Sequence, residues 1–133
     1  FMEFVSKMDM SLSYKPILLK AMMRHANEDG CVALEDIVDY FKEYYEGRAA
    51  AGLVVEKPSS IFVKGGYTDK DVEKNILSNP FKRFADMRFF QRCKDVTMVR
   101  FNPWIYKKLD AEDFKRIHMI CDKKLEEYYA RFK

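Results

Sequence analysis

The sequence predicts one domain of the mainly α, α+β class, and three observations carry that expectation. Its 133 residues match a single hydrophobic core. Five glycines and four prolines are too few for a turn-dense all-β sandwich. Several stretches repeat apolar residues at steps of three and four, the period of a helix with one buried face. A hydrophobic content of 48 % with 15 % aromatics excludes disorder as a description of the whole chain.

Residues 1–12, with methionines at 2, 8 and 10, show no clear period and are expected to be a loose lead-in or a short helix end. The domain proper is taken as 13–133. Ser13 is placed to cap a helix with Pro16 in its first turn, and Ile17, Leu18, Leu19, Ala21, Met22 and Met23 make it apolar nearly all round. That helix should be central and end near Asn27, with Gly30 in the stop that follows. Cys31 to Leu34 reads as a short extended piece. Leu34, Ile37, Val38, Phe41 and Tyr45 then line one face of an amphipathic helix.

Between residues 47 and 67 the period breaks, giving a long connection with one short strand expected at 61–64. Thr68, with Asp71 three residues later, has the spacing of a capping box for a third helix whose narrow apolar face is Val72, Ile76 and Leu77. Asn79-Pro80 ends that helix or restarts a short turn of helix through Phe81 and Phe84. A hairpin follows, with strands at 88–93 and 96–101 about a Lys94-Asp95 turn. Asn102-Pro103 opens a short helix. Asp110 caps a long last one, along which Phe114, Ile117, Cys121, Leu125, Tyr128 and Phe132 recur at helical steps.

Helix, short strand, helix, connection, helix and two-stranded hairpin is the order of a winged helix-turn-helix, here with added C-terminal helices. Pairing of Cys31–Leu34 with the hairpin would supply the third strand that a small sheet needs. Such folds read nucleic acid or dock proteins, so the fold leaves both open. A base-reading third helix should offer Arg, Lys, Asn or Gln. Residues 69–78 carry three acids against two lysines, which argues against readout by that helix.

The net charge of +3 is too mild to signal nucleic acid by itself, but its distribution is uneven. Within 80–108 stand Lys82, Arg83, Arg88, Arg92, Lys94, Arg100, Lys107 and Lys108 against Asp86 and Asp95, interleaved with Phe81, Phe84, Phe89, Phe90, Phe101, Trp104 and Tyr106. That mixture can hold a phosphate backbone and stack bases. The plainer alternative is that the aromatics are core and the charges a solvated hairpin face. A second functional class is a protein-docking module anchored by Tyr44-Tyr45 and Tyr128-Tyr129.

Catalysis finds no residues to carry it. His25 and His118 lie in no metal or triad spacing, the acids Glu35, Asp36 and Asp39 suit a helix start, and Gly65-Gly66 lacks the lysine and hydroxyl of a phosphate loop. No catalytic residue, metal site or cofactor is therefore expected. Cys31, Cys93 and Cys121 are odd in number and far apart, as reduced thiols of a cytoplasmic protein would be. No run approaches the ~18 apolar residues of a membrane span. A chain starting at Phe1 is expected to be cut from something longer.

Tyr14-Lys15-Pro16-Ile17-Leu18-Leu19-Lys20-Ala21, Gly30 to Ile37, Phe41-Lys42-Glu43-Tyr44-Tyr45 and Asn79-Pro80-Phe81-Lys82-Arg83-Phe84 together resemble a domain near the C-terminus of some bacterial DEAD/DEAH-box helicases. The resemblance spans about residues 11 to 132. Its first block is also similar to the N-terminal domains of some restriction-type HNH endonucleases. The resemblance implies an accessory domain of a larger ATP-dependent enzyme, with the parent motor as a partner in cis and DNA or RNA as a ligand. This chain holds no Walker-type loop and no Asp-Glu-Ala-Asp or Asp-Glu-Ala-His sequence, so ATP chemistry is expected to lie elsewhere in such a parent.

Overall fold

In chain order, the computed structural model, which describes residues 1–132, contains α1 (Met2–Lys7), α2 (Tyr14–His25), β1 (Cys31–Ala33), α3 (Leu34–Ala50), α4 (Ile61–Lys64), α5 (Asp69–Ser78), α6 (Pro80–Asp86), β2 (Phe90–Arg92), β3 (Met98–Phe101), α7 (Pro103–Tyr106) and α8 (Ala111–Ala130). It is mostly helical, with one small antiparallel sheet in the strand order β1-β3-β2.

A helix with apolar residues on nearly every side has to lie in the middle, and α2 does. Its Tyr14, Pro16, Ile17, Leu18, Leu19, Ala21 and Met22 are all buried. α3 packs on one side of it through Ile37, Val38, Phe41 and Tyr45, and α8 on another through Ile117, Cys121, Leu125 and Tyr128. The sheet closes a further side. Val32 pairs with Val99 and Phe90 with Phe101, and all four side chains face inward. Phe84 stacks on Phe90 at 4.7 Å and joins α6 to the sheet. Among the described residues no helix is long and apolar enough to cross a membrane.

The sequence signals at two helix starts are realised. Thr68 Oγ1 accepts from Asp71 N while Asp71 accepts from Thr68 N, and Asp110 and Asp113 make the same reciprocal pair at α8. Those bonds hold the Asp71 carboxyl below its usual range.

Four expectations are narrowed or corrected. Of the two alternatives for residues 1–12, the short helix is the one present and the loose lead-in is not: α1 packs on α8, and Val5, Met8 and Met10 are buried. Residues 61–64 form a helical turn, not a strand, because Ser60 Oγ accepts from Phe62 N at its start and Gly65, at φ +74°, stops it. The hairpin strands are shorter than expected, and residues 93–97 form the turn between them. Ser13 stands at the N-cap of α2, yet its side chain makes no capping bond and is committed elsewhere.

That commitment is to Glu56, only 4 % exposed although it belongs to the irregular connection after α3. Glu56 Oε2 accepts from Ser13 N at 2.8 Å and from Ser13 Oγ. Its Oε1 accepts from Lys57 N at 2.8 Å and from the Tyr128 hydroxyl. Ser13 Oγ is also 2.6 Å from the Tyr45 hydroxyl, and the Tyr129 hydroxyl donates to Val55 O at 2.8 Å. One carboxylate thus ties the connection to the start of α2, the end of α8 and, through Ser13, the middle of α3. Burial pushes the phenols of Tyr45, Tyr128 and Tyr129 well up, and the Glu56 charge adds to the effect at Tyr128.

Truncating Glu56 leaves four donors without their acceptor, three of them on the buried or bonded groups of Ser13 and Tyr128. Glu56→Ala is expected to lower stability by about 3 kcal/mol, read from the urea midpoint at constant slope. A loss below about 1 kcal/mol would show that the knot is replaceable by water.

Candidate functional site

The structure divides the eight basic residues of 80–108 into groups with different duties. On α6, Lys82 pairs with Asp86 at 2.9 Å, and Arg83 turns its guanidinium over the Phe4 ring at 5.6 Å. Arg100 is half-buried on the outer face of the sheet and donates to Asp29 O at 2.8 Å, so its guanidinium serves the turn before β1. Its Nε is buried without a partner. Arg92 Nη2 reaches Val96 O at 3.2 Å across the hairpin turn, Lys94 is exposed beside it, and Val96 at the tip is 70 % exposed. Arg88, Lys107 and Lys108 are exposed where α6 passes into β2 and where α7 ends.

Among the described residues, Arg88, Arg92, Lys94, Lys107 and Lys108 have no acidic partner within ion-pair distance. The one acid of the hairpin turn, Asp95, is held by Thr97 through both its backbone N–H (2.9 Å) and its hydroxyl (2.6 Å). Those bonds keep its carboxyl below the usual range, so the charge stays and the tip is mixed rather than purely basic. Four of the aromatics between these charges, Phe81, Phe84, Phe90 and Phe101, are buried core, as the plainer sequence reading expected. Trp104 is not: it stands 68 % exposed.

Arg88 occupies the most constrained position in the region. Phe89 N donates to Phe84 O and Arg88 N to Ala85 O, each at 2.9 Å, the pair of hydrogen bonds that closes a helix through a left-handed residue. Arg88 is that residue, with φ +63°, and among the described residues no other non-glycine has a positive φ. Glycine is the ordinary occupant because a Cβ there costs about 1 kcal/mol. α1 supports the arrangement, its Phe4 packing on Phe84 and Phe89 at 5.3 and 5.1 Å. Sequence periodicity had no means of flagging Arg88 as strained; an arginine in a helix-closing slot after Asp86-Met87 was the available signal.

A further groove lies elsewhere and was not foreseen. A cleft of about 1100 Å³ runs between the C-terminal half of α2, Tyr40 in the body of α3, the end of α7 and the first half of α8. Its walls include Met23, Tyr40, Phe114 and the 69 % exposed Met119, with Arg24 and Arg116 on the rim. Lys20 beside it is bound to Asp122 at 2.5 Å, and His118 lies 3.5 Å from the same carboxylate. His25 approaches Asp36 at 4.0 Å.

Among the described residues no group of three or more His, Cys, Asp or Glu is placed to hold a metal. Cys31, Cys93 and Cys121 are free thiols; burial pushes Cys121 up to about 12 and raises Cys93 as well. Of the docking anchors expected at the tyrosine pairs, Tyr45 and Tyr128 are buried, Tyr129 lies under Arg48 at 3.5 Å, and half-buried Tyr44 packs edge-on against Tyr45 at 4.9 Å. No family model, curated protein or solved structure matches the chain.

A strained arginine kept for fold reasons and one kept for its charge respond oppositely to glycine. Arg88→Gly is expected to raise stability by about 1 kcal/mol in urea unfolding while weakening any anionic ligand that uses the site. A destabilised Arg88→Gly variant would show that the side chain is there for packing.

Proposed function

We propose that this domain is a nucleic-acid-binding accessory module of a larger ATP-dependent helicase, contacting phosphates through the basic hairpin. The observation that carries the reading is the set of exposed cations around the hairpin, Arg88, Arg92 and Lys94, with no acidic partner among the described residues. The helicase resemblance of the sequence points the same way. A winged-helix reading of the fold supports it further: α2, β1, α3, α5, then the β2–β3 hairpin, with strand order β1-β3-β2, is the arrangement in which the hairpin becomes the wing.

On this reading the wing makes the contact and the third helix does not. α5 presents Asp69, which is bound to Lys42 at 2.8 Å, and Asp71, locked in its capping box, beside Lys70 and Lys74. Alternating signs there give no net attraction for a phosphate backbone. The chemistry assigned to the domain is binding alone, with cofactor and motor supplied by the parent. Lys82 contributes less than the sequence suggested, because Asp86 pairs with it, while Arg83 and Arg100 keep their charge but turn their guanidiniums to the Phe4 ring and to Asp29 O.

A protein-docking role is the second reading, and the α8 groove with its exposed Met119 is the observation that favours it. The two separate in one experiment. Labelled oligonucleotides are titrated by fluorescence anisotropy at about 50 and 200 mM salt, with the wild type and an Arg88→Ala/Arg92→Ala/Lys94→Ala variant. The salt slope is expected to fall by about 0.7 to 0.9 for each phosphate contact removed. An unchanged slope in a folded variant would contradict the hairpin assignment.

A further inference from the structure

Trp104 is the single tryptophan of the chain and remains 68 % exposed. Leaving a large apolar ring in water forgoes stabilisation that a core position would supply. Nothing about its mount is loose. Asn102 Oδ1 accepts from Trp104 N and Asn102 Nδ2 donates to Arg88 O, each at 2.9 Å, while Asn102 N donates to Phe89 O at 2.8 Å. One asparagine therefore bolts the start of α7 to the strained backbone at Arg88.

At the other end of α7 the Tyr106 hydroxyl donates to Asn27 O at 3.0 Å, and its ring lies against Phe101 at 5.2 Å. The fit over Gly30 is close enough that a Cβ on Gly30, at φ +79°, would come within 2.8 Å of the Tyr106 ring. Two residues apart on a helix, Tyr106 and Trp104 point to different sides. The inward ring fixes α7 and the outward one is held in solvent.

The exposed indole carries a cation against its ring. Lys107 Nζ sits 4.0 Å from the ring centroid, Lys108 is next in the chain, and Arg88 is joined to the same asparagine. Of the acids closest in the chain, Asp86 pairs with Lys82 and Asp110 accepts the capping bond of α8. A rigid aromatic ring with Lys107 over it, Lys108 next in the chain and Arg88 joined through its backbone suits a ligand that is flat and apolar on one part and anionic a short distance away. A nucleotide with an unpaired base has that chemistry, because in a duplex both faces of each internal base are already stacked.

We infer that Trp104 is a stacking platform for an unpaired base of single-stranded nucleic acid, with Lys107, Lys108 and Arg88 holding the adjoining phosphates. This rests on the nucleic-acid reading above and adds strandedness to it.

As the sole tryptophan, Trp104 reports on its own occupancy. The whole domain is titrated with a thymidine oligonucleotide of about 12 nucleotides, within the span one small domain covers, and with a duplex of the same length. Indole emission and anisotropy of the labelled strand are read together. The single strand should quench the indole along the same curve as the anisotropy rise and should bind more tightly than the duplex. Trp104→Ala should weaken single-strand binding about tenfold with an unchanged salt slope, and Trp104→Phe should recover most of the loss.

Binding without quenching, or a Trp104→Ala variant that binds like the wild type, would overturn the stacking platform and leave the hairpin reading standing. A duplex that binds at least as tightly and quenches as strongly would overturn the single-strand assignment. Absence of binding by either probe at low salt would overturn both this inference and the proposed function.

Discussion

The buried carboxylate of Glu56 is the constraint around which the rest of this structure is arranged. An ionised group out of water costs several kcal/mol unless its lone pairs are met, and here four donors meet them. The donors come from three places far apart in sequence: Ser13 before α2, Lys57 next to the carboxylate, and Tyr128 near the end of α8. Ser13 at the start of α2 and Tyr128 near the end of α8 bond the same carboxylate, which fixes those two helix ends against each other. A fully bonded charge between them admits one register, and the connection after α3 acquires a fixed path because its glutamate has to reach that point.

A second set of bonds works at the surface. The helix closure through Arg88, the Asn102 bridge and the Tyr106 seat over Gly30 each use backbone or side-chain bonding to hold residues outward. At Arg88 the fold accepts a left-handed backbone where glycine would be easier, and at Trp104 it leaves an indole in water. Both departures from the best local choice fall in one stretch and share one asparagine. The reading of this stretch as a binding surface follows from that coincidence together with its unpaired cations.

The helices were legible in the sequence because their signals are local. The capping pattern at Thr68 and Asp71 and the spacing of Ile117, Cys121, Leu125 and Tyr128 need only a few residues to be recognised. α4 was misread because Ile-Phe-Val favours strands, although Ser60 before it and Gly65 after it are helix punctuation. Packing of α1 and the role of Glu56 were beyond reach, since each depends on partners more than forty positions away, as Ser13 and Glu56 are. Within the candidate site, the density of basic and aromatic residues was visible. Its division into core rings, engaged charges and free ones was not, because it depends on side-chain direction at each residue. Arg100 and Arg92 look alike in sequence, yet one holds a turn and the other reaches across an exposed hairpin tip.

The most direct test of the account maps the contact surface residue by residue. Amide and indole chemical shifts of the isotopically labelled domain are followed as a short single-stranded oligonucleotide is added. The account predicts shifts at Arg88, at residues 92–96 of the hairpin turn, and at the Trp104 indole and Lys107. Shifts confined to the α8 groove around Arg116 and Met119, with the hairpin and the indole unmoved, would contradict it.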